Sequence, residues 1–336
     1  MKLTALLQRA WQQRGVLAAL LLPLAAAFAL LAAARRALYR HRILGSERLP
    51  VPVVVIGNIT VGGSGKTPLT LWLVDALRAC GMRPGVVSRG HGGIGTVAEV
   101  LADGDAARVG DEPLMIKRRL NLPVFVGRDR VAASRALIEA HPGCDLIVAD
   151  DGLQHYRLAR DLEIAVIDGR GLLNGWPLPA GPLREPPSRL ARVDALVLNG
   201  PPPRLPPDAA GPAQFRMRLI GDTFHSLADP GRTCAAADLS GLRLAAVAGI
   251  GDPGRFFAHL EALGLSCRCH AFPDHHRYLR ADLEEIEADA LLMTEKDAVK
   301  CAGLTDRPVW VLPVTARVEP DLVALVMEKL YGRPPA

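Results

Sequence analysis

The chain has 336 residues, 49% of them hydrophobic and 22% charged, with a net charge of +5. That length exceeds what one hydrophobic core usually supports, so two domains are expected, and the composition excludes a disordered or fibrous chain. With 4% aromatic residues and none of the RNA- or DNA-binding motifs, nucleic acid is not the expected partner; phosphates on a nucleotide, a lipid or a membrane surface account for the basic balance.

From residue 16 to residue 34 no side chain is polar, and as a helix this stretch would span about 28 Å, close to a bilayer's hydrocarbon thickness. Arg9 and Arg14 precede it; Arg35, Arg36, Arg40 and Arg42 follow it. Ala32-Ala33-Ala34 nominally supplies a signal-peptide cleavage site, but a nucleotide-binding motif lies downstream. The six cysteines (Cys80, Cys144, Cys234, Cys267, Cys269 and Cys301) show neither a CxxC pair nor zinc spacing, which fits reduced cysteines in a cytosolic domain. A buried core helix is rarely apolar all round. Residues 1–45 are therefore expected to form a membrane anchor, spanning or interfacial, with its arginine-rich C-terminal flank inside.

Beyond Pro50, apolar runs of strand length alternate with helix-length amphipathic segments. Strands are expected over 51–57, 85–88, 124–126, 146–150, 164–167 and 195–198, and their continuous apolar character suits parallel strands covered on both faces. This predicts an α/β fold: a doubly wound, mostly parallel sheet over residues 46–210. The proline-rich run from Pro201 to Pro207 reads as a stiff linker, and 215–220 reads as an isolated strand inside a connector over 211–235. A second, smaller α/β domain is expected over 236–336. Its strands fall at 244–248, 267–272, 290–294 and 309–312, with helices at 256–263 and 322–330.

The most informative segment runs Val53-Val54-Val55-Ile56-Gly57-Asn58-Ile59-Thr60-Val61-Gly62-Gly63-Ser64-Gly65-Lys66-Thr67. A buried strand enters a glycine-rich turn, and Gly-Lys-Thr then opens a helix. Glycines let backbone N–H groups turn inward around phosphates, the helix N-terminus adds partial positive charge, and Lys66 reaches the β- and γ-phosphates. Thr67 offers a hydroxyl to Mg²⁺. Thr60 stands where the usual pattern has its first glycine. Asp145-Leu146-Ile147-Val148-Ala149-Asp150-Asp151 then places two carboxylates at the carboxyl edge of the sheet, where a P-loop protein needs an acidic partner for Mg²⁺. Taken alone, Asp150-Asp151-Gly152 would be an ordinary turn.

The P-loop, with Pro68 after it, resembles that of the tetraacyldisaccharide 4'-kinases, which also lacks the first glycine. Further matches follow in the family's order: Ser88-Arg89-Gly90, Gly110-Asp111-Glu112-Pro113, Asp150-Asp151-Gly152-Leu153-Gln154-His155 and Gly181-Pro182-Leu183-Arg184-Glu185-Pro186. Phe272-Pro273-Asp274-His275-His276 and Thr294-Glu295-Lys296-Asp297-Ala298-Val299-Lys300 complete them. The resemblance implies transfer of the ATP γ-phosphate to the 4' hydroxyl of a tetraacylated glucosamine disaccharide 1-phosphate, a lipid-linked acceptor, at the cytoplasmic face of the inner membrane. It implies ATP contacts from Thr60, Gly62, Gly63, Ser64, Gly65, Lys66 and Thr67. Asp111 would be the general base, paired with His275; Asp150 and Asp151 would serve Mg²⁺ and the phosphates; Arg184 and Glu185 would line the active site. His91 departs from the family's usual tyrosine, so no hydroxyl contact is carried over there. No oligomeric state is implied.

Gly249-Ile250-Gly251-Asp252-Pro253-Gly254 formally fits a dinucleotide fingerprint, but Pro253 removes a donor and no ribose-binding acid ends the next strand, so a structural turn is expected. Thr294-Glu295-Lys296-Asp297 resembles a guanine-specificity motif with its lysine one place late. The rival to a kinase is a membrane-associated P-loop ATPase or GTPase switch with no sugar acceptor.

Overall fold

The computed structural model describes residues 2–209 and 211–332. Three helices open it: α1 (Lys2–Gln12), α2 (Val16–Leu20) and α3 (Leu22–Arg40). The apolar stretch is thus not one continuous rod. It breaks at Leu21, with Pro23 in the first turn of α3, the position where a missing N–H costs least. α3 is long and apolar enough to cross a membrane, and Leu24, Leu30 and Leu31 lie more than half exposed on it. α1 and the turn after it instead dock on the body: Trp11 Nε1 donates to Pro179 O at 2.9 Å, and Arg14 Nε donates to Asn174 O at 3.0 Å.

The chain then runs β1 (Val53–Gly57), α4 (Lys66–Ala79), β2 (Pro84–Ser88), β3 (Ala98–Glu99), α5 (Ala106–Val109), α6 (Asp111–Leu120), β4 (Val124–Val126) and α7 (Arg130–Ala140). β5 (Leu146–Asp150), β6 (Leu162–Asp168), β7 (Ala195–Asn199) and β8 (Ala213–Ile220) follow. β9 (Thr223–Ser226), β10 (Thr233–Ala235), β11 (Leu244–Ala248), α8 (Pro253–Ala262), β12 (Cys267–Ala271), α9 (Arg280–Glu284), β13 (Ala290–Thr294), α10 (Glu295–Cys301) and β14 (Val309–Leu312) come next, and β15 (Thr315–Val318) and α11 (Asp321–Tyr331) end it.

These strands form two sheets. The first has order β15-β8-β7-β6-β1-β5-β2-β4-β3 and is parallel except at its two edge pairs. The second has order β10-β9-β14-β13-β11-β12, with a parallel centre and an antiparallel β9–β10 edge. β1 lies between β5 and β6, where the strand order reverses, and such switch points open the crevice in which ligands bind. Its residues alternate between two cores. Val54 and Ile56 pack with Leu69 and Leu73 of α4, while Val53 and Val55 face Leu137 and Leu153 on the other side. Burial on both faces explains why β1 reads as an unbroken apolar run.

Two expectations are corrected here. The strand over 215–220 is not isolated in a connector: as part of β8 it pairs in parallel with β7 and receives β15 on its other edge. The helix over 322–330 does not belong to the smaller sheet, because Leu322 and Val326 sit in the core under α4. The physical reason is amphipathicity. β8 buries Phe215 and Met217 and exposes Gln214, Arg216 and Arg218, so it carries only a one-sided apolar signal. The chain therefore leaves the first sheet after β8, builds the second, and returns.

Leu322 is fully buried far from the phosphate loop in sequence yet in the same core. Leu322→Ala is expected to lower stability by about 2–4 kcal/mol through cavity formation. Urea unfolding followed by tryptophan fluorescence measures it, and a loss of only a few tenths would place α11 outside this core.

Candidate active site

The phosphate loop is shaped by residues outside the glycine pattern. Asn58, fully buried at the end of β1, donates through Nδ2 to Thr60 Oγ1 at 3.2 Å and Ser64 Oγ at 3.1 Å, tying the two ends of the turn together. Its Oδ1 accepts from Lys66 Nζ at 3.4 Å. Thr60 and Leu183 pair as a β-bridge, flanked by Val61 N–H to Pro182 O at 2.9 Å and Arg184 N–H to Ile59 O at 2.7 Å. The Gly-Pro-Leu-Arg-Glu-Pro segment is thus a strut for the loop. Gly65, with φ 95°, caps α4.

At the carboxyl end of β5, Asp150 is fully buried and accepts from Thr70 Oγ1 at 2.9 Å, while its Oδ2 has no partner among the described residues. Burial, then the neighbouring Glu112 and Asp151 carboxylates, raise its pKa well above the carboxylate range. Asp151 behaves oppositely. Burial works against its charge, but Lys66 at 3.7 Å and Arg184 at 3.1 Å overcome that and hold it at about 2. Asp151 has φ 50°, a left-handed conformation that turns it back toward the loop.

Arg184 Nη1 also reaches Gln154 Oε1 at 3.3 Å, and Gln154 Nε2 donates to Glu185 Oε1 at 2.9 Å. Glu185 is buried and takes Arg36 of α3 at 3.3 Å, Arg189 at 3.6 Å and the Tyr156 hydroxyl. A continuous polar path therefore joins the apolar N-terminal helix to Lys66. Glu185 has its acceptors occupied by protein groups.

Asp111 begins α6 behind Gly110, whose φ of 91° suits glycine; a Cβ there would lie 2.7 Å from His91 O. Asp111 is 4% exposed, and His275 Nδ1 stands 3.0 Å from each of its oxygens. Burial opposes ionisation of Asp111, but His275, Lys296 and Lys300 prevail and set its pKa at about 2. For His275 burial lowers the pKa and the bond to Asp111 outweighs it, so the net shift is upward despite Lys296 Nζ 3.3 Å from Nε2. Residues 164 positions apart, one opening α6 and the other following β12, form one hydrogen-bonded pair.

The two sheets meet around this pair. Lys296 Nζ bridges Glu112 and Asp274 at 3.0 Å each, and Arg119 grips Glu295 at 2.7 Å. The Thr294–Asp297 motif supplies this contact between the sheets through Glu295 and Lys296. Gly251 of the apparent dinucleotide fingerprint lies against the phosphate loop, and a Cβ there would stand 2.9 Å from Gly63 N. Glycine at that place permits close approach of one turn to another.

The description fitting nearly the whole chain is that of the family model for tetraacyldisaccharide-1-P 4'-kinase, which matches residues 17–331. The chain belongs to this family. A tetraacyldisaccharide 4'-kinase of Azoarcus sp. is 55% identical over 97% of this chain and 96% of its own length. One from Dechloromonas aromatica is 52% identical over 97% and 98% respectively. Among solved structures, LpxK from Aquifex aeolicus in complex with ATP superposes with a TM-score of 0.80 at 30% identity, covering 94% of this chain and all of that one.

For this family member, composition and spacing pointed to the P-loop and the Asp150-Asp151 pair, which the fold brings together with Arg184. Asp111 and His275 are brought together as well. Arg170 and Asn199 also reach the phosphate loop, with Asp168 holding Arg170, and sequence reasoning missed all three: each is a lone polar residue at or just past a strand end. Buried Arg130, beside Asp150 and Asp151, was missed likewise, and burial brings its pKa down to about 10.

The Asp111–His275 pair carries a pH signature. Asp111 titrates below its ordinary value, so its share of stability is present above about pH 4 and lost as pH falls toward 2; His275 titrates above 6.5, so its share is present below that and lost as pH rises through its folded pKa. The gap in melting temperature between wild type and His275→Ala should therefore be widest between about pH 4 and 6.5. Thermal unfolding across pH 3–9 tests this, and a gap constant with pH would show that the pair is uncharged.

Proposed function

We propose that the protein transfers the γ-phosphoryl group of ATP to the 4' hydroxyl of a tetraacylated glucosamine disaccharide 1-phosphate, in the making of lipid A. The observation that supports this reading most is a carboxylate–histidine pair joining the two sheets, with Gly251, which lies against Gly63 of the phosphate loop, also close to Asp274 next to His275 in the chain. A switch without an acceptor has no use for that pair, and the family match favours the kinase over it.

In this reading the loop amides, Lys66 and the α4 N-terminus hold the ATP phosphates. Asp150 fits a divalent cation because its buried Oδ2 lacks a protein partner. Thr67, Asp150 and Asp151 would hold Mg²⁺, which when bound neutralises phosphate charge. No group of three or more His, Cys, Asp or Glu residues forms a metal cluster among the described residues, which suits a cation completed by phosphate oxygens and water. Arg184 faces the same space from the Asp151 side.

The acceptor oxygen forms a bond to the γ-phosphorus as the bond from that phosphorus to the β–γ bridging oxygen breaks, and ADP departs with that oxygen. Asp111 takes the hydroxyl proton. A carboxylate of pKa about 2 is a weak base toward a free alcohol. It suffices here because the loose transition state of phosphoryl transfer releases the proton late, once the oxygen is bonded to phosphorus and acidic. His275, through its Nδ1–H, keeps the carboxylate oriented and charged.

The acceptor is lipid-linked, and α3 with its arginine flank supports a membrane site of action. We place the protein at the cytoplasmic face of the inner membrane, where ATP is available. Residues 1–45 would anchor it there, the first sheet, running from β1 to β8 and completed by β15 and α11, would carry the nucleotide site, and the second sheet, from β9 to β14, would close over it.

Incubation with γ-labelled ATP and the disaccharide acceptor tests the reaction itself; hydrolysis without stoichiometric transfer would favour the switch. Lys66→Ala should lower turnover at least ~10²-fold. Asp111→Ala and His275→Ala should each reduce kcat severely, and the double variant should lose little more than Asp111→Ala, as groups acting together do. Multiplicative losses would show that the two act separately.

A further inference from the structure

A phosphate-binding loop works only if consecutive backbone N–H groups converge on the anion. A trans peptide points its C=O opposite to the N–H of the following residue, so each inward amide requires an outward carbonyl. Outward carbonyls here find side-chain donors from two neighbouring strands. Asn199, the last residue of β7, donates Nδ2 to Ser64 O at 2.9 Å. Arg170, two residues past β6, donates Nη2 to Gly63 O at 2.8 Å.

Both donors are themselves held. Arg170 Nε stands 2.9 Å from Asp168 Oδ2 and its Nη2 2.7 Å from the same oxygen, so the buried Asp168 fixes the guanidinium plane. Asn199 is 1% exposed and lies so close to Gly65 that a Cβ there would overlap Nδ2. Its Oδ1 is buried without a partner among the described residues. An amide kept with one end unsatisfied costs stability, which points to a duty for its other end.

We propose that Arg170 and Asn199 are positioning residues for ATP: by capturing the Gly63 and Ser64 carbonyls from outside, they aim the Ser64 and Gly65 amides at the phosphates. Neither needs to touch the nucleotide. Their effect is preorganisation, setting the loop before the anion arrives so that binding does not have to order it. The inference rests on the P-loop reading of this site.

Asn199→Asp is isosteric, removes the donor and sets a carboxylate against the Ser64 carbonyl. Arg170→Ala removes the other donor from a side chain one-third exposed and leaves buried Asp168 with Arg255 at 3.5 Å as its charge partner. Binding of a non-hydrolysable Mg·ATP analogue by calorimetry, KM for each substrate, and melting temperature without nucleotide are measured for both variants. ATP affinity should fall by about 10- to 10²-fold with acceptor KM little changed; the nucleotide-free melting temperature should fall in Asn199→Asp, whose new carboxylate is buried, and far less in Arg170→Ala. Arg170→Lys should recover part of the loss, since an ammonium can still donate to Gly63 O. Wild-type ATP affinity in folded Arg170→Ala overturns the role of Arg170, and in Asn199→Asp that of Asn199; equal losses for both substrates would make the roles merely structural. If Asn199→Asp does not fold, Arg170→Ala decides. Lys66→Ala run alongside separates the cases: full activity in it overturns the P-loop reading, whereas a crippled Lys66→Ala beside unaffected Arg170→Ala and Asn199→Asp overturns only this inference.

Discussion

Asp111 is a buried carboxylate whose neutralising groups all come from another sheet. His275, Lys296 and Lys300 belong to the part of the chain from β12 to α10, whereas Asp111 begins α6 in the first sheet. A charge removed from water without partners costs several kcal/mol, and partners in good geometry recover most of it. The two sheets are thus docked by an electrostatic requirement as much as by apolar contact, and Arg119–Glu295 and Lys296–Glu112 extend the same charge pairing along the seam. Two crossing segments, between β8 and β9 and between β14 and β15, connect the sheets. Paired connections favour a hinge over free tumbling, which suits a site assembled from both sides.

What the sequence made legible follows from how the information is distributed. The phosphate loop is contiguous, and its glycines, lysine and threonine have one joint explanation, so it could be read from residues alone. Asp150-Asp151 was readable once the loop was known, because a buried strand ending in carboxylates has a place on the same sheet edge. Asp111 and His275 are far apart in the chain, and only the family resemblance paired them. Asn199 and Arg170 left no pattern: an asparagine at a strand end and an arginine in a loop are common, and their meaning lies in the carbonyls they face. β8 misled for another reason. Its partners on either edge are β7, just before it, and β15, nearly a hundred residues later, and no local period encodes the second.

The polar path from Arg36 through Glu185, Gln154 and Arg184 to Asp151 and Lys66 gives the N-terminal helix more than a tethering part. Glu185 is 5% exposed and saturated by protein donors, so it serves as a fixed joint between α3 and the loop strut. Because α3 carries the apolar surface, this joint sets how far the phosphate loop stands from whatever covers that surface. A lipid-linked acceptor brings its sugar at a height fixed by its own acyl chains, and a rigid joint lets the two heights match.

The return of β15 and α11 to the first sheet has a consequence for synthesis. A nascent chain emerging from the ribosome presents β1 through β8 long before it presents Leu322 and Val326, which fill the core beneath α4. Until then the outer edge of β8 is unpaired and Leu69 and Leu73 lack part of their cover. The nucleotide-binding sheet is therefore completed only after the second sheet has been translated, so the usual N-terminal-first order of domain folding is inverted for its last layer. During that interval an open strand edge and apolar surface must be kept from pairing with other chains, a task that falls to chaperones or to the speed of elongation.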